Sequence, residues 1–480
     1  MSFNSLTFAC FLPLVFLLYW FVFQRNLLRQ NLFIVVASYL FYGWWDWRFL
    51  LLIAFTSFCS WGAGLLTLQN RRFLTPKLLT VGNVVLNLLL LCAFKYFNFF
   101  IDSFISMFAM VGIHLHPVTL KLILPVGISF YTFQALSYTI DVYRKRIEPT
   151  RDIVAFFAFI SFFPQLVAGP IERATNLLPQ FERRRTFDYA AAVDGLRQIL
   201  WGLFKKVFVA DHCAASVNYI FDNSEHLSGS TLWWGAVFFS MQLYGDFSGY
   251  SDIAIGVARL FGIRLRRNFA FPFFSRDIAE FWRRWHISLT TWFRDYVYIP
   301  MGGSRVSKLR IVLNTFVIFI LSGLWHGANL TFIVWGTFHA ILFLPLILLG
   351  RNRKYLTVVA ENRVLPTLRE LLQILLTYWL VTFGFIFFRA NDVHQAFAII
   401  RKVFSQSFFD VPDLGPDYPV KLAAIYTCLL VEWLGRHHEH ALECLGQKWP
   451  RILRYAMYYA IIIIIIMFPG EEQQFIYFQF

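Results

Sequence analysis

The chain of 480 residues is 58% hydrophobic and 20% aromatic, with 15% of its residues charged and a mean hydropathy of +0.56. That composition excludes the mixed, charged surface of a soluble domain and predicts an integral membrane protein. A formal charge of +15 does not indicate nucleic acid, because the basic residues sit in short loops such as Arg144 to Arg146 and Glu182 to Arg185, where they read as cytoplasmic anchors.

A membrane span needs about 20 mainly apolar residues. The first run, Leu6 to Phe23, has no basic residue before it and Arg25 and Arg29 after it. This is the reverse of a cleavable signal, so it predicts a retained span with its N-terminus outside. Further runs follow at Phe33 to Tyr42, Leu50 to Leu66, Leu78 to Ala93, Leu122 to Tyr138, Ile153 to Val167 and Leu232 to Leu243. Others come at Ile311 to Leu324, Phe332 to Leu349, Leu371 to Phe388, Val420 to Leu434 and Ile452 to Phe468. They predict an all-α polytopic protein with roughly ten to thirteen membrane elements, the shortest of them re-entrant. No linker divides the chain and no repeat recurs, so residues 1–480 read as one membrane domain closed by an aromatic tail, 469–480. The six cysteines include no CxxC pair and point to neither a disulfide framework nor a metal site.

Charged groups in hydrocarbon cost about 2.5–3.5 kcal/mol on insertion scales, so polar clusters inside apolar runs are candidate sites. The first cluster, Tyr244 to Gly256, carries Asp246, Ser248, Tyr250, Ser251 and Asp252. Its carboxylates need protein, water or a basic partner, and a structural hydrogen-bond knot is the favoured reading over catalysis. The second cluster, Phe281 to Arg305, contains Trp282, Arg283, Arg284, Trp285, His286, Arg294 and Asp295. In a helix, Trp282, His286, Leu289 and Phe293 would share one stripe, with Pro300, Gly302 and Gly303 ending the element. An interfacial aromatic helix and a substrate site fit this spacing equally, the arginines reaching toward headgroups, a phosphorylated ligand or Asp295.

The third cluster is Leu321 to Asn329, "LSGLWHGAN". Helix rise places His326 roughly 24 Å from Arg310, well inside the membrane. A neutral imidazole there either bridges helices or, with a reference pKa near 6.5, takes a proton from a hydroxyl and returns it. Gly327 would admit substrate to the backbone, while Trp325 and Asn329 would wall and polarise the site. The run Arg436 to His440 follows a span end, matches no standard metal spacing and reads as a solvated helix end.

Taken together, "FWRRWHISLTTWFRDYVYIPMGG" and the later "LSGLWHGAN" resemble the signature of the membrane-bound O-acyltransferase family. The stretches "VGISFYTFQALSYTIDVYR", "AGPIER" and "YGDFSGYSDIAIG" follow the order of its bacterial alginate O-acetyltransferase branch. The resemblance implies a ring of membrane helices around a thinned centre, with a tunnel from a cytoplasmic donor site to an outward acceptor site. It implies His326 as the essential catalytic residue and His286 as the second member of the signature. Donor phosphates, most simply those of acetyl-CoA, would meet Arg283, Arg284 and Arg294, with Trp282, Trp285, Asp295, Trp325 and Asn329 binding substrate. The acceptor would be an exported polysaccharide or peptidoglycan, reached in a bacterial inner membrane through an extracytoplasmic serine-hydrolase-like acetyltransferase. D-alanyl transfer from a carrier protein toward teichoic acid, acylation of a membrane lipid and non-catalytic transport remain the alternatives.

The tail "PGEEQQFIYFQF" follows Arg451 and Arg454, so its Glu471 and Glu472 should lie outside, giving an even number of crossings. By composition it is an interfacial aromatic anchor. It also resembles the C-terminal motif of the small membrane subunit of the D-alanylation system, which implies Tyr477 as an acyl-carrying residue.

Overall fold

The computed structural model describes residues 1–68, 75–110, 113, 124–167, 169–471 and 473–476; Leu122, Ala168, Glu472 and Tyr477 of the stretches above lie outside the described residues. Every regular element among the described residues is helical. Among the described residues, five helices are long and apolar enough to cross a membrane: Arg48–Leu66, Pro76–Lys95, Lys308–His326, Leu330–Leu348 and Leu368–Arg389. Each coincides with an apolar run in the sequence, and the chain is a multi-pass membrane protein.

Other runs are interrupted or polar. Ile153 to Val167 breaks into Ile153–Ser161 and Phe163–Leu166, with Phe162 at ψ 108° between them. Pro164 stands in the first turn of the second piece, where its missing N–H costs nothing. Leu232 to Leu243 is part of the 32-residue helix Gly229–Leu260, which also carries the first polar cluster.

Contacts divide the chain into two compact units, residues 1–193 with 257–266, and residues 194–256 with 267–480. In the first, helix Ile128–Tyr143 is buried along nearly its whole length. Asn83 donates from Nδ2 to Thr139 Oγ1 at 2.8 Å and to Ser60 Oγ at 3.2 Å. Arg185 is buried and donates to Asn31 at 2.6 Å and Gln30 at 3.1 Å. Polar side chains thus pair inside the helix bundle, away from lipid.

The second unit is organised by the helical hairpin Lys308–His326 and Leu330–Leu348. A Cβ on Gly323 would lie 2.2 Å from the Phe332 carbonyl oxygen, and one on Gly336 would lie 2.3 Å from that of Phe319. The two backbones therefore touch, which only glycine permits. This contact brings the last turn of the first helix against the first turns of the second. Leu368–Arg389 starts with a capping box between Thr367 and Glu370.

Candidate active site

The segment around His286 is not one helix. Ile278–Arg284 stops, Trp285 is extended, and His286 adopts the left-handed conformation at φ 42° before Ile287–Phe293 begins. The apolar spacing that suggested a continuous stripe therefore misleads. The peptide groups freed by the break bond to the neighbouring strand-like run: Ile287 N–H donates to Asn268 O at 2.8 Å, and Ala270 N–H to Arg284 O at 2.9 Å. After Ile287–Phe293 a π-helical turn, Arg294–Tyr298, carries the chain toward Pro300.

His286 is 1% exposed. Asn268 Oδ1 accepts from the Ser288 amide at 3.3 Å and the Ser288 hydroxyl at 2.9 Å, and lies 3.0 Å from His286 Nδ1. An atom that accepts an amide proton is the carboxamide oxygen, so Nδ1 of a neutral His286 is the donor. Its Nε2 is then a bare acceptor, buried and without a hydrogen-bond partner among the described residues. Asn268 itself is held by donating to Ser251 Oγ at 3.1 Å.

His326 is the last residue of its helix and is buried. Its ring is edge-on to Trp335 at 5.2 Å and to Phe388 at 5.0 Å, and the neighbouring Trp325 ring also meets His286 at 5.6 Å. Trp325 thus links the two histidines. Gly327 does not open the backbone to substrate, since a Cβ there would strike the Phe332 ring at 2.2 Å. Asn329 accepts from the Thr331 amide at 3.0 Å and donates to Asn391 O at 2.9 Å, so both ends of its amide hold the loop.

Two cavities approach this cluster. One, of about 270 Å³, is lined by Trp282, Phe319 and Ser322 with Arg283, Arg294 and Arg353 among its polar groups. Ser322 lies one helical turn before His326. The other, of about 300 Å³, is lined by Phe332 and Phe388, both ring neighbours of His326, together with Asn329, Arg389, Gln473 and Ile476. His326 lines neither cavity, but its ring neighbours Phe332 and Phe388 line the second, and its neighbour Trp335 packs on Trp282 of the first.

The arginines divide by role. Arg284 pairs with buried Glu280 at 2.9 Å and donates to Ala270 O and Thr357 O. Arg283 donates to the carbonyls of Asn352 and Tyr355, so both fasten loop backbone. Arg294 pairs with Asp295 at 2.6 Å and its side chain is 57% exposed. Trp285 is buried against Phe281, Phe269 and Phe385 and lines neither cavity.

The sequence pattern described as the membrane-bound O-acyltransferase family matches residues 148–366, which include both histidines. A protein described as "Probable alginate O-acetylase AlgI" from Pseudomonas aeruginosa is 40% identical over 424 residues, covering 86% of this chain and 77% of its own. The chain belongs to the membrane-bound O-acyltransferase family. A "Peptidoglycan O-acetyltransferase" from Helicobacter pylori is 34% identical over 419 residues, covering 82% of this chain and 77% of its own. A "Teichoic acid D-alanyltransferase" from Bacillus subtilis is 30% identical over 291 residues, covering 56% and 70%.

This O-acyltransferase holds residues that sequence reasoning passed over. The carboxylates of the first polar cluster find their basic partners in adjacent lysines: Lys205 lies 2.6 Å from Asp252 and 3.7 Å from Glu432, and Lys206 lies 2.9 Å from Asp246 and 2.8 Å from Asp211. The signal was present as two lysines inside the apolar stretch "GLFKKVFVA". His339 is fully buried between Trp282 and Trp335 at 5.0 Å from each ring. Neither of its nitrogens, nor the indole nitrogens of Trp282 and Trp335, has a hydrogen-bond partner among the described residues. These unsatisfied polar atoms lie within ring contact of one another, Trp282 meeting Trp335 at 5.6 Å. The "RHHEH" run is not a solvated end throughout: His440 is buried with Nε2 3.1 Å from Asp194, and Arg436 caps the carbonyls of Val359, Ala360 and Arg363.

Proposed function

We propose that this O-acyltransferase carries acetyl groups from acetyl-CoA across the membrane toward hydroxyls of an exported cell-surface polysaccharide or peptidoglycan. The observation that supports this most is His326 buried among rings that reach both cavities: Phe332 and Phe388 line the one that holds Gln473 and Ile476, and Trp335 packs on Trp282 of the one rimmed by Arg283, Arg294 and Arg353. The relatives named as O-acetylases support acetyl as cargo.

In the proposed relay, the His326 imidazole removes the proton of the Tyr477 hydroxyl, and the phenolate oxygen attacks the thioester carbonyl. The C–S bond breaks, the thiolate leaves and takes the proton back from the imidazolium, and an aryl acetate remains on Tyr477. A phenol with a pKa near 10 needs such a base, and its ester is reactive enough to be transient. A hydroxyl of an extracytoplasmic serine-hydrolase-like partner then attacks that ester and the phenol is regenerated. Placed in a bacterial inner membrane with both termini outside, the chain would receive donor on one face and release acyl groups on the other. The Asn268-fixed Nε2 acceptor of His286 orients a proton-bearing group in the same site.

Vesicles containing the full chain, given radiolabelled acetyl-CoA, should acquire label on the protein that is lost in His326→Ala. Equal labelling of a folded His326→Ala protein would reject the assignment. Labelling from a D-alanyl carrier protein and not from acetyl-CoA would move the chain to the D-alanyl branch.

A further inference from the structure

The composition of the C-terminal tail favours an aromatic anchor at the membrane interface and its motif an acyl carrier; its described part is drawn into the second unit. Phe475 is 1% exposed and Ile476 is 3% exposed. The contacts begin at Gly470, whose amide donates to Val207 O at 3.3 Å. A Cβ at this position would sit 2.5 Å from the backbone carbon of Asp211 and 2.6 Å from the His212 nitrogen. The tail backbone is therefore pressed on the backbone of residues 207–212.

Two further bonds hold the backbone beyond it. Lys206 Nζ donates to Gln473 O at 2.9 Å, and Asp246 Oδ2 accepts from the Ile476 amide at 2.6 Å. Lys206 and Asp246 are themselves an ion pair, 2.9 Å apart and buried. Lys206 also faces Asp211, so the three charges sum to one excess negative. An acceptor-rich group of that kind is completed by an N–H donor, which the tail supplies. Between the two bonds Phe475 rests on Tyr250 at 4.5 Å and on Phe247 at 5.9 Å. Phe247 in turn is edge-on to His286 at 4.6 Å.

We infer that Lys206 and Asp246 form a clasp for an extended peptide, with Phe247 and Tyr250 as its aromatic seat, and that the chain's own residues 473–476 are the peptide it holds. Recognition is through backbone at residues 473 and 476 and through one side chain, Phe475. The clasp holds Gln473 and Ile476 at the cavity lined by Phe332 and Phe388; its consequence for acyl transfer rests on the relay reading, while the clasp itself does not.

Hydrogen exchange of the full chain in detergent separates these. Asp246→Ala leaves Lys206 paired with Asp211, so the charges stay balanced, and Gly470→Ala touches no charge. Each should make amides 470–476 exchange about 10- to 100-fold faster, with the Lys308–His326 and Leu330–Leu348 peptides unchanged. Asp246→Asn, which keeps an acceptor oxygen, should recover most of the protection, Phe475→Ala should lose it, and Gln474→Ala should keep it. Unchanged tail exchange in both Asp246→Ala and Gly470→Ala would overturn the clasp. Tyr477→Phe should retain tail protection and lose acyl transfer. A released tail with full acyl transfer would support the clasp and overturn the relay.

Discussion

Asn268 Oδ1 lies 3.0 Å from His286 Nδ1 and, because it also accepts the Ser288 amide proton, it decides which imidazole nitrogen carries hydrogen. The bare Nε2 that results is the atom through which His286 would act in the proposed site. Asn268→Ala should leave a folded protein whose kcat falls about tenfold to a hundredfold, the usual cost of losing an orienting partner, with KM little changed. A change confined to KM would show that Asn268 shapes binding instead.

The two histidines should not be equivalent. His326→Ala is expected to remove a proton acceptor and lower transfer by about 10²–10⁴-fold. His286 requires a comparison that respects its left-handed backbone at φ 42°. Asn tolerates that conformation, whereas Ala adds about 1–2 kcal/mol of backbone cost to the loss of the ring. His286→Asn should therefore weaken transfer less than His326→Ala at similar thermal stability. Equal and complete loss in both folded variants would contradict the division.

His339 offers a test of stability against function. Its two nitrogens are buried without partners among the described residues, and an unsatisfied polar group costs about 1–3 kcal/mol. His339→Leu should keep or raise the melting temperature. A marked fall would mean that ordered water or ligand satisfies the ring in the folded protein.

Donor recognition should depend on the exposed arginines and less on those that fasten loops. Arg353 and Arg294 line the cavity on the Ser322 side of His326, and each phosphate contact they make should weaken with salt. Arg353→Gln should raise the KM for acetyl-CoA severalfold and flatten its salt dependence while kcat holds. Arg284→Gln should instead lower thermal stability, because it strips Glu280 of one of its two cationic partners, Arg276 being the other.

What the sequence made legible follows from how local each signal is. The five span-length helices stood out because a run of about 20 apolar residues has few alternatives. His326 stood out because a titratable ring in such a run is conspicuous. The need of Asp246 and Asp252 for a basic partner was also visible, but not its identity, since Lys205 and Lys206 are about forty residues upstream. The break at His286 was hidden because the apolar period continues through it; tertiary bonds from Asn268 and Ala270, which no local pattern announces, decide the matter. Nor do the two units leave a mark in composition: the chain passes between them at 193–194, 256–257 and 266–267, the first two inside the helices Tyr189–Leu203 and Gly229–Leu260.

The glycine contact between Lys308–His326 and Leu330–Leu348 sets a timescale. With backbone against backbone at Gly323 and Gly336, the hairpin has no side chain to compress and no slack to take up. A slide of one residue would put Ser322 or Leu324 where only hydrogen fits. The Phe332 ring is pinned as well, against Gly327. The Phe388 ring, on the separate helix Leu368–Arg389, is buried too and packs on His326, Phe332 and Trp335. A close-packed wall of this kind opens by displacement of whole elements, roughly microseconds to milliseconds, and not by the nanosecond flips of exposed side chains. Access to the imidazole is thus set by how tightly this wall is packed, and turnover should respond to the bulk of residue 388, which fills it.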